Sequence, residues 1–177
     1  MFQKALMQNR DIVGIMLAAA FLLLLPLLAM QFTDGVVWTA FDFAVAWALL
    51  AGAGLTYRLA TRRAGNIAYR AAVGVAVATA LFLVWVDLAV GIIGSEDNPA
   101  NLMYGGVLAV GIIGATIARL RPHGMTRALF ATALAQMLVG VIALIAGLDA
   151  RPILDGFLAA LWAGSALLFL HAARNHN

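Results

Sequence analysis

The chain has 177 residues, of which 64% are hydrophobic and 11% are charged, and its mean hydropathy is +0.98. A soluble domain is roughly half apolar and one quarter charged, so a fold of this length in water could not bury so much apolar surface. The formal net charge is +3. The chain contains no cysteine, which excludes disulfides, thiol catalysis and thiolate metal sites.

Apolar runs long enough to cross a bilayer account for most of the sequence. A transmembrane helix needs about 20 apolar residues at a rise of about 1.5 Å per residue. The weakest boundary is residues 31–35, where Asp34 and Gly35 favour a turn between two apolar runs. We therefore predict an all-α, polytopic helical bundle that forms a single transmembrane domain over residues 1–177. Its six predicted spans are 12–32, 36–57, 70–94, 99–118, 125–147 and 153–172.

The basic residues fall almost entirely on one side of these spans. Arg151 is the one basic residue predicted on the opposite side, which carries the acids Asp34, Glu96, Asp97, Asp149 and Asp155. Cytoplasmic loops collect Lys and Arg, so this pattern predicts that both termini face the cytoplasm. The same pattern explains the basic pI without a nucleic-acid partner. The partners expected from it are the lipid bilayer and anionic lipid headgroups at the inner loops.

Local signals mark the ends of some spans. Asn98 followed by Pro99 fits an N-cap with proline at the first helical position, and Pro152 fits the same role for the last span. Aromatic residues near the predicted boundaries fit interfacial belts. These residues are Tyr57 and Tyr69 on the inner side, and Trp38 and Tyr104 on the outer side.

Two carboxylates, Asp42 and Asp87, are predicted to lie inside the hydrocarbon on consecutive antiparallel spans. Each lies six or seven residues from the outer end of its span, which corresponds to a depth of roughly 10 Å. An ionisable group at membrane depth is a candidate functional residue. A pair at one level could share a proton and serve as a proton or cation relay. The alternative is that each is neutral or bonded to Thr39, a tryptophan or the backbone.

Other polar residues suggest weaker candidates. The fifth predicted span carries Thr132 and Gln136 on one face, which we interpret, with Thr39, as polar contacts between helices. Glu96 and Asp97 belong to an oxygen-rich outer loop that is a candidate for weak cation or proton binding. No cofactor and no metal site is expected. The lysine Lys4 lies outside the spans, and the histidines lie at or beyond the inner boundary.

The segment 85–104, WVDLAVGIIGSEDNPANLMY, resembles a motif of small multi-span bacterial inner-membrane proteins without known activity. The resemblance implies a location in the bacterial inner membrane and brings no substrate or catalytic residue. Three function classes stay open. The first is a small proton- or cation-linked transporter or channel that uses the intramembrane carboxylates. The second is a non-catalytic accessory or scaffold subunit, bound to a larger membrane protein or to a second copy of the chain. The third, less favoured, is a membrane-embedded enzyme with an Asp pair.

Overall fold

The computed structural model describes residues 2–32, 37–62 and 64–174, with side chains from residue 11 onward. Within these residues the fold is all-α, and six helical segments are long and apolar enough to cross a membrane, as the sequence predicts. The predicted turn at Asp34 and Gly35 lies outside the described residues, as does Arg63. The helices are α1 (Phe2–Leu22), α2 (Leu24–Phe32), α3 (Ala40–Thr61), α4 (Ile67–Val90), α5 (Leu102–Ala118), α6 (Pro122–Ile145) and α7 (Pro152–Arg174).

The chain divides into two compact units, Met1–Leu59 and Ala60–Asn177, here called the first and second units. In the first unit, α1 and α2 together form one span, Asp11–Phe32, interrupted at Leu23. Pro26 explains the interruption, because a proline ring clashes with the carbonyl four residues earlier and lacks the N–H of a helical bond.

Polar side chains connect α1 and α3 within the first unit. Arg58 forms an ion pair with Asp11, with 2.8 Å between guanidinium nitrogen and carboxylate oxygen. The indole Nε1 of Trp47 donates to the Met16 carbonyl at 3.4 Å. Gly54 lies against Ile15 so closely that an added Cβ would approach the Ile15 side chain to 2.6 Å. Within this helix pair the side chains of Asp11, Arg58 and Trp47 therefore each have a polar partner.

In the second unit α7 packs against both α4 and α6, and α5 packs against α6. The helices alternate in direction, so the unit has two distinct ends. We call one the basic end, formed by the start of α4, the α5–α6 turn and the end of α7. There Asn66 donates to the Ala172 carbonyl at 3.4 Å, and the Tyr69 hydroxyl donates to the Leu120 carbonyl at 2.9 Å. Tyr69 is therefore buried, and the predicted interfacial role for it is wrong.

We call the opposite end the acidic end, formed by the loops 91–98 and 146–151. Gly94 N–H donates to the Asp149 carbonyl at 2.8 Å, and Ile93 pairs with Ala150 in an antiparallel bridge. These backbone contacts join the α4–α5 connection to the α6–α7 connection. The acidic end is thus a folded layer above the helices.

Helix α4 ends at Val90, four residues before the predicted end of the third span. Gly91 adopts φ +67°, a left-handed conformation that favours glycine, and its N–H donates to the Asp87 carbonyl at 3.1 Å. Gly94 also has φ +67°. The third span, predicted to continue to Gly94 as helix, is therefore shorter, and Gly91 and Gly94 lie beyond the helix that carries Asp87.

We expect Gly91→Ala to lower the free energy of unfolding by about 2 kcal/mol or more. The added Cβ would lie 2.4 Å from the Ser95 carbonyl group, and the backbone conformation disfavours any side chain. Gly105→Ala on α5 is the matched control, because no atom lies within 4 Å of its added Cβ. Thermal unfolding in detergent micelles, monitored by circular dichroism, measures the stability of both variants. Equal unfolding midpoints for the two variants would contradict this account of the turn.

Candidate functional site

A carboxyl group is buried at the junction of α5, α6 and α7. Asp155 is 2% exposed, and its Oδ1 accepts two hydrogen bonds from neighbouring helices. The Tyr104 hydroxyl donates from α5 at 2.9 Å, and Gln136 Nε2 donates from α6 at 2.8 Å. Tyr104 is 1% exposed and Gln136 is fully buried. We call Tyr104, Gln136 and Asp155 the buried acid cluster.

Local sequence explains why Asp155 reaches this position. Helix α7 begins at Pro152, as predicted, so Asp155 lies in its first turn, where a negative charge is stabilised by the helix dipole. Its other oxygen, Oδ2, lies against Gly140 of α6. A Cβ at Gly140 would approach this oxygen to 2.9 Å, so glycine provides the space for the carboxyl group.

The buried acid cluster contains polar atoms without hydrogen-bond partners. Asp155 Oδ2 and Gln136 Oε1 are both buried and unpartnered, as is Trp162 Nε1, two turns further along α7. The ion pair found among the described residues joins Asp11 and Arg58. No described basic side chain therefore forms an ion pair with Asp155. Unpartnered buried polar groups are rare in proteins and mark places where a group exchanges partners or protons.

Two side chains near the cluster form hydrogen bonds with backbone groups of the loop 91–98. Asn101 Oδ1 accepts from the N–H groups of Ile92 and Ile93 at 3.2 and 2.8 Å, and its amide donates to the Ser95 carbonyl at 2.8 Å. Arg151 donates to the carbonyls of Gly91 and Gly94 at 2.8 and 3.3 Å. Because Arg151 is bonded to the loop backbone, it holds the acidic end together.

The oxygen-rich outer loop has an explanation in helix capping. Asn98 accepts from the Ala100 N–H at 3.0 Å, and Pro99 opens a short 3₁₀ turn, Pro99–Asn101, before α5, as predicted. Glu96 and Asp97 are exposed on the same loop. Across the described ranges, no group of three or more His, Cys, Asp or Glu side chains is arranged to hold a metal ion.

Asp42 has a local role at the start of α3. Its Oδ2 accepts from the N–H and the hydroxyl of Thr39, at 2.7 and 2.8 Å, and its own N–H donates to the Thr39 hydroxyl at 3.3 Å. This reciprocal pattern is a capping box, in which two side chains satisfy the free N–H groups of a helix start. Thr39 therefore bonds within its own helix end, and its predicted role between helices stays a prediction.

Asp87 lies near the acidic end of α4 and differs from Asp42 in its surroundings. Its Oδ1 is buried without a hydrogen-bond partner. Asp42 belongs to the first unit and Asp87 to the second, so the predicted matched depth of the two stays a prediction.

The polar residues of α6 divide into two roles. Gln136 donates to Asp155 and therefore connects α6 to α7. The Thr132 hydroxyl instead donates to the Ala128 carbonyl of its own helix at 2.9 Å, and its predicted polar contact with another helix stays a prediction. A buried hydroxyl on a helix commonly takes the carbonyl four residues earlier, because it is always within reach. Thr132 still packs on α5, against Gly111.

The prediction that Tyr104 belongs to an interfacial belt is wrong, because its side chain is 1% exposed. Asp155 was predicted on the outer side, within the sixth span 153–172, and its burial between helices was not predicted. Both residues lie about one turn inside their helices, and both are buried. The signal that could have identified them is the Pro152 helix start, which places Asp155 on the same helix face as the small residue Ala159 and as Trp162.

Comparison with known proteins gives no relative from which a function could be transferred: no family model, no curated protein and no solved structure matches this chain. The proposed function therefore rests on the geometry of the site.

Removing the Tyr104–Asp155 hydrogen bond should destabilise the second unit in a coupled way. In a double-mutant cycle of Tyr104→Phe and Asp155→Ala, we expect a coupling energy between about 0.6 kcal/mol, the average for hydrogen bonds between membrane helices, and about 1.7 kcal/mol, the largest value for such bonds. Reversible unfolding in mixed micelles measures the free energy of unfolding of the unmodified protein, of each single variant and of the double variant. The control cycle pairs Tyr69→Phe with Asp155→Ala, which lie at opposite ends and should be additive within about 0.5 kcal/mol. Additivity in both cycles would remove the cluster as a stabilising unit.

Proposed function

We propose that this chain is a small proton-linked transporter or channel of a bacterial inner membrane, with Asp155 as its proton-binding group. The observation that carries the proposal is a carboxyl group buried inside a membrane-spanning helix, with an unpartnered oxygen and no basic partner in the described part of the chain. A carboxyl group at this depth is energetically unfavourable and is retained where it serves ion or proton pathways.

The chemistry of the cluster favours a proton over a metal cation. Hard cations require several oxygen ligands arranged around them. Around Asp155 Oδ1 the neighbours instead present a hydroxyl hydrogen and an amide hydrogen, from Tyr104 and Gln136, which would repel a cation. These donors stabilise the charged carboxylate, while the enclosed surroundings favour its neutral form. A group with both influences is suited to binding and releasing a proton.

The neighbouring polar groups suggest a route on either side of the cluster. Toward the acidic end, Asp87 lies within the last turn of α4, and its Oδ1 is buried without a hydrogen-bond partner. Toward the basic end, Trp162 and Ser165 continue the buried face of α7, and Ser165 donates to the Ala72 carbonyl of α4 at 2.7 Å. The rise from Asp155 to Ser165 is about 15 Å, roughly half of the hydrocarbon thickness.

The charge distribution supports an orientation with the basic end in the cytoplasm. Arg119, Arg121 and Arg127 lie at the basic end, whereas Glu96 and Asp97 lie at the acidic end. Under the positive-inside rule the buried acid cluster then belongs to the outer half of the membrane. Protons would enter the cluster from the periplasmic side, past Asp87.

An accessory or scaffold role is the second candidate, and one observation favours it. The bonds of Asp155 to Tyr104 and Gln136 connect three helices, so the cluster would also serve assembly alone. The two functions differ in what they require of Asp155. Assembly requires hydrogen-bond acceptors, which asparagine retains, whereas proton transfer requires an ionisable group.

We expect Asp155→Asn to abolish proton flux into reconstituted vesicles while the protein stays folded. Asparagine is close in size to aspartate and accepts the same hydrogen bonds, but it cannot bind and release a proton. The measurement uses an entrapped pH-sensitive dye and a potassium diffusion potential. Asp97→Asn is the control, because Asp97 is exposed on the loop and should leave flux unchanged.

Two results would contradict the transport proposal. One is a flux from the unmodified protein no greater than that of empty vesicles, and the other is an unchanged flux in Asp155→Asn. Either result, together with co-purification of a larger membrane protein by both Asp155→Asn and the unmodified chain, would favour the scaffold role.

The orientation can be tested with single cysteines, because the chain has none of its own. We expect Ser95→Cys to react with a membrane-impermeant maleimide added to intact spheroplasts, since Ser95 is exposed at the acidic end. Arg174→Cys, exposed at the basic end, should react with the same maleimide only after the membrane has been permeabilised. The reverse pattern would place the basic end outside.

A further inference from the structure

A groove opens at the basic end, where α5 turns into α6. Its volume is about 790 Å³, and its walls combine cationic side chains with apolar ones. Arg121 and Arg127 supply the cationic part, and His123 lies beside them. Ile117 and Ala118, from the last turns of α5, supply much of the apolar part. The groove is remote from the buried acid cluster, which lies near the opposite end of the same helices.

Within the described part of the second unit, the cations of the groove have no carboxylate to pair with. The sequence contains no Asp or Glu between Asp97 and Asp149, so neither α5 nor α6 carries an acid. The carboxylates of α4 and α7, Asp87 and Asp155, belong to the acidic half of the unit. Both Arg121 and Arg127 are exposed and form no ion pair with any described residue. An anion bound here would therefore meet uncompensated positive charge.

Close backbone contacts fix the shape of the groove. An added Cβ at Gly114 would approach the Ala128 Cβ to 2.7 Å, and one at Gly124 would approach the Ala118 Cβ to 2.7 Å. The turn itself uses left-handed backbone at Arg119 and Leu120, with φ 49° and 58°. Non-glycine residues rarely adopt this conformation, and surrounding contacts must hold them in it.

The start of α6 adds to the attraction for an anion. Arg121 is the N-cap residue and makes no side-chain cap, so the first N–H groups of α6 are not satisfied by a capping side chain. The positive end of the helix dipole and these N–H groups together favour a phosphate. They lie beside the same Arg121 and His123 side chains that line the groove.

The apolar wall of the groove indicates which class of anion binds there. Ile117 is 78% exposed on a helix that spans the membrane, so this wall continues into the hydrocarbon. Free phosphate would use the cations alone and leave Ile117 without a partner. We propose that the groove is a binding site for an anionic phospholipid, with the phosphate at Arg121, His123 and Arg127 and an acyl chain along Ile117.

The test is native mass spectrometry of the delipidated protein, titrated in detergent with dioleoyl phosphatidylglycerol or dioleoyl phosphatidylcholine. We expect preferential binding of the anionic lipid, and about thirtyfold weaker binding in Arg121→Gln/Arg127→Gln, from the loss of two charges near the membrane surface. The control Arg70→Gln/Arg174→Gln removes two charges from the same end outside the groove, and its affinity should stay within about threefold of the unmodified protein. Equal weakening in both double variants would overturn the proposal, since it would show a diffuse charge effect.

The acyl-chain contact has its own variant. Ile117→Ser should weaken phosphatidylglycerol binding, whereas Ile112→Ser, at an exposed position on α5 outside the groove, should not. Inorganic phosphate, added as a competitor at millimolar concentration, should not displace the lipid. Complete displacement by phosphate, or no effect of Ile117→Ser, would overturn the assignment to a lipid. These measurements involve no transport, so they stand or fall separately from the proposed function.

Discussion

A single buried carboxyl group organises the second unit. Inside a bilayer every polar group must find its partner within the protein, because lipid offers none. Asp155 therefore fixes the positions of α5 and α6 relative to α7 through the hydrogen bonds from Tyr104 and Gln136. The contact of Gly140 with its second oxygen brings α6 close enough for those bonds to form. A shift of any of the three helices by one turn would break at least one of these two hydrogen bonds. The packing of apolar surfaces alone would not impose such a register.

The two ends of the second unit are built by different means, and this difference matters for function. At the acidic end, Asn101 and Arg151 bond to backbone groups, so the loops form a folded layer beside the buried acid cluster. At the basic end, the Tyr69 hydroxyl holds the tight α5–α6 turn, while the Arg121 and Arg127 side chains extend without carboxylate partners. One end thus places the proposed proton-binding group beneath an ordered surface. The other presents positive charge where the apolar helix surface begins, as the proposed binding of an anionic lipid requires.

The six spans could be predicted from the sequence because hydrocarbon thickness imposes a length that apolar runs reveal directly. The site could not, because depth along a helix does not determine which groups meet across helices. Asp42 was predicted deep in the membrane, yet Thr39 binds it in a helix cap. Asp155, near a predicted span end, is buried, because helix α7 turns that face inward. The heptapeptide LAVGIIG occurs twice, at 88–94 and at 108–114, and its two copies fold differently. Its first copy terminates α4 at a left-handed glycine, while its second copy continues α5 as helix. Tertiary contacts with neighbouring segments decide between these outcomes.

The central claim is that Asp155 binds and releases a proton inside the membrane. The most direct measurement is a pH-induced infrared difference spectrum of the protein in lipid vesicles, in the carbonyl region where protonated carboxylic acids absorb. The account predicts a band that changes with pH in the unmodified protein, is lost in Asp155→Asn and is retained in Asp97→Asn. A spectrum that is identical in the unmodified protein and in Asp155→Asn would contradict it.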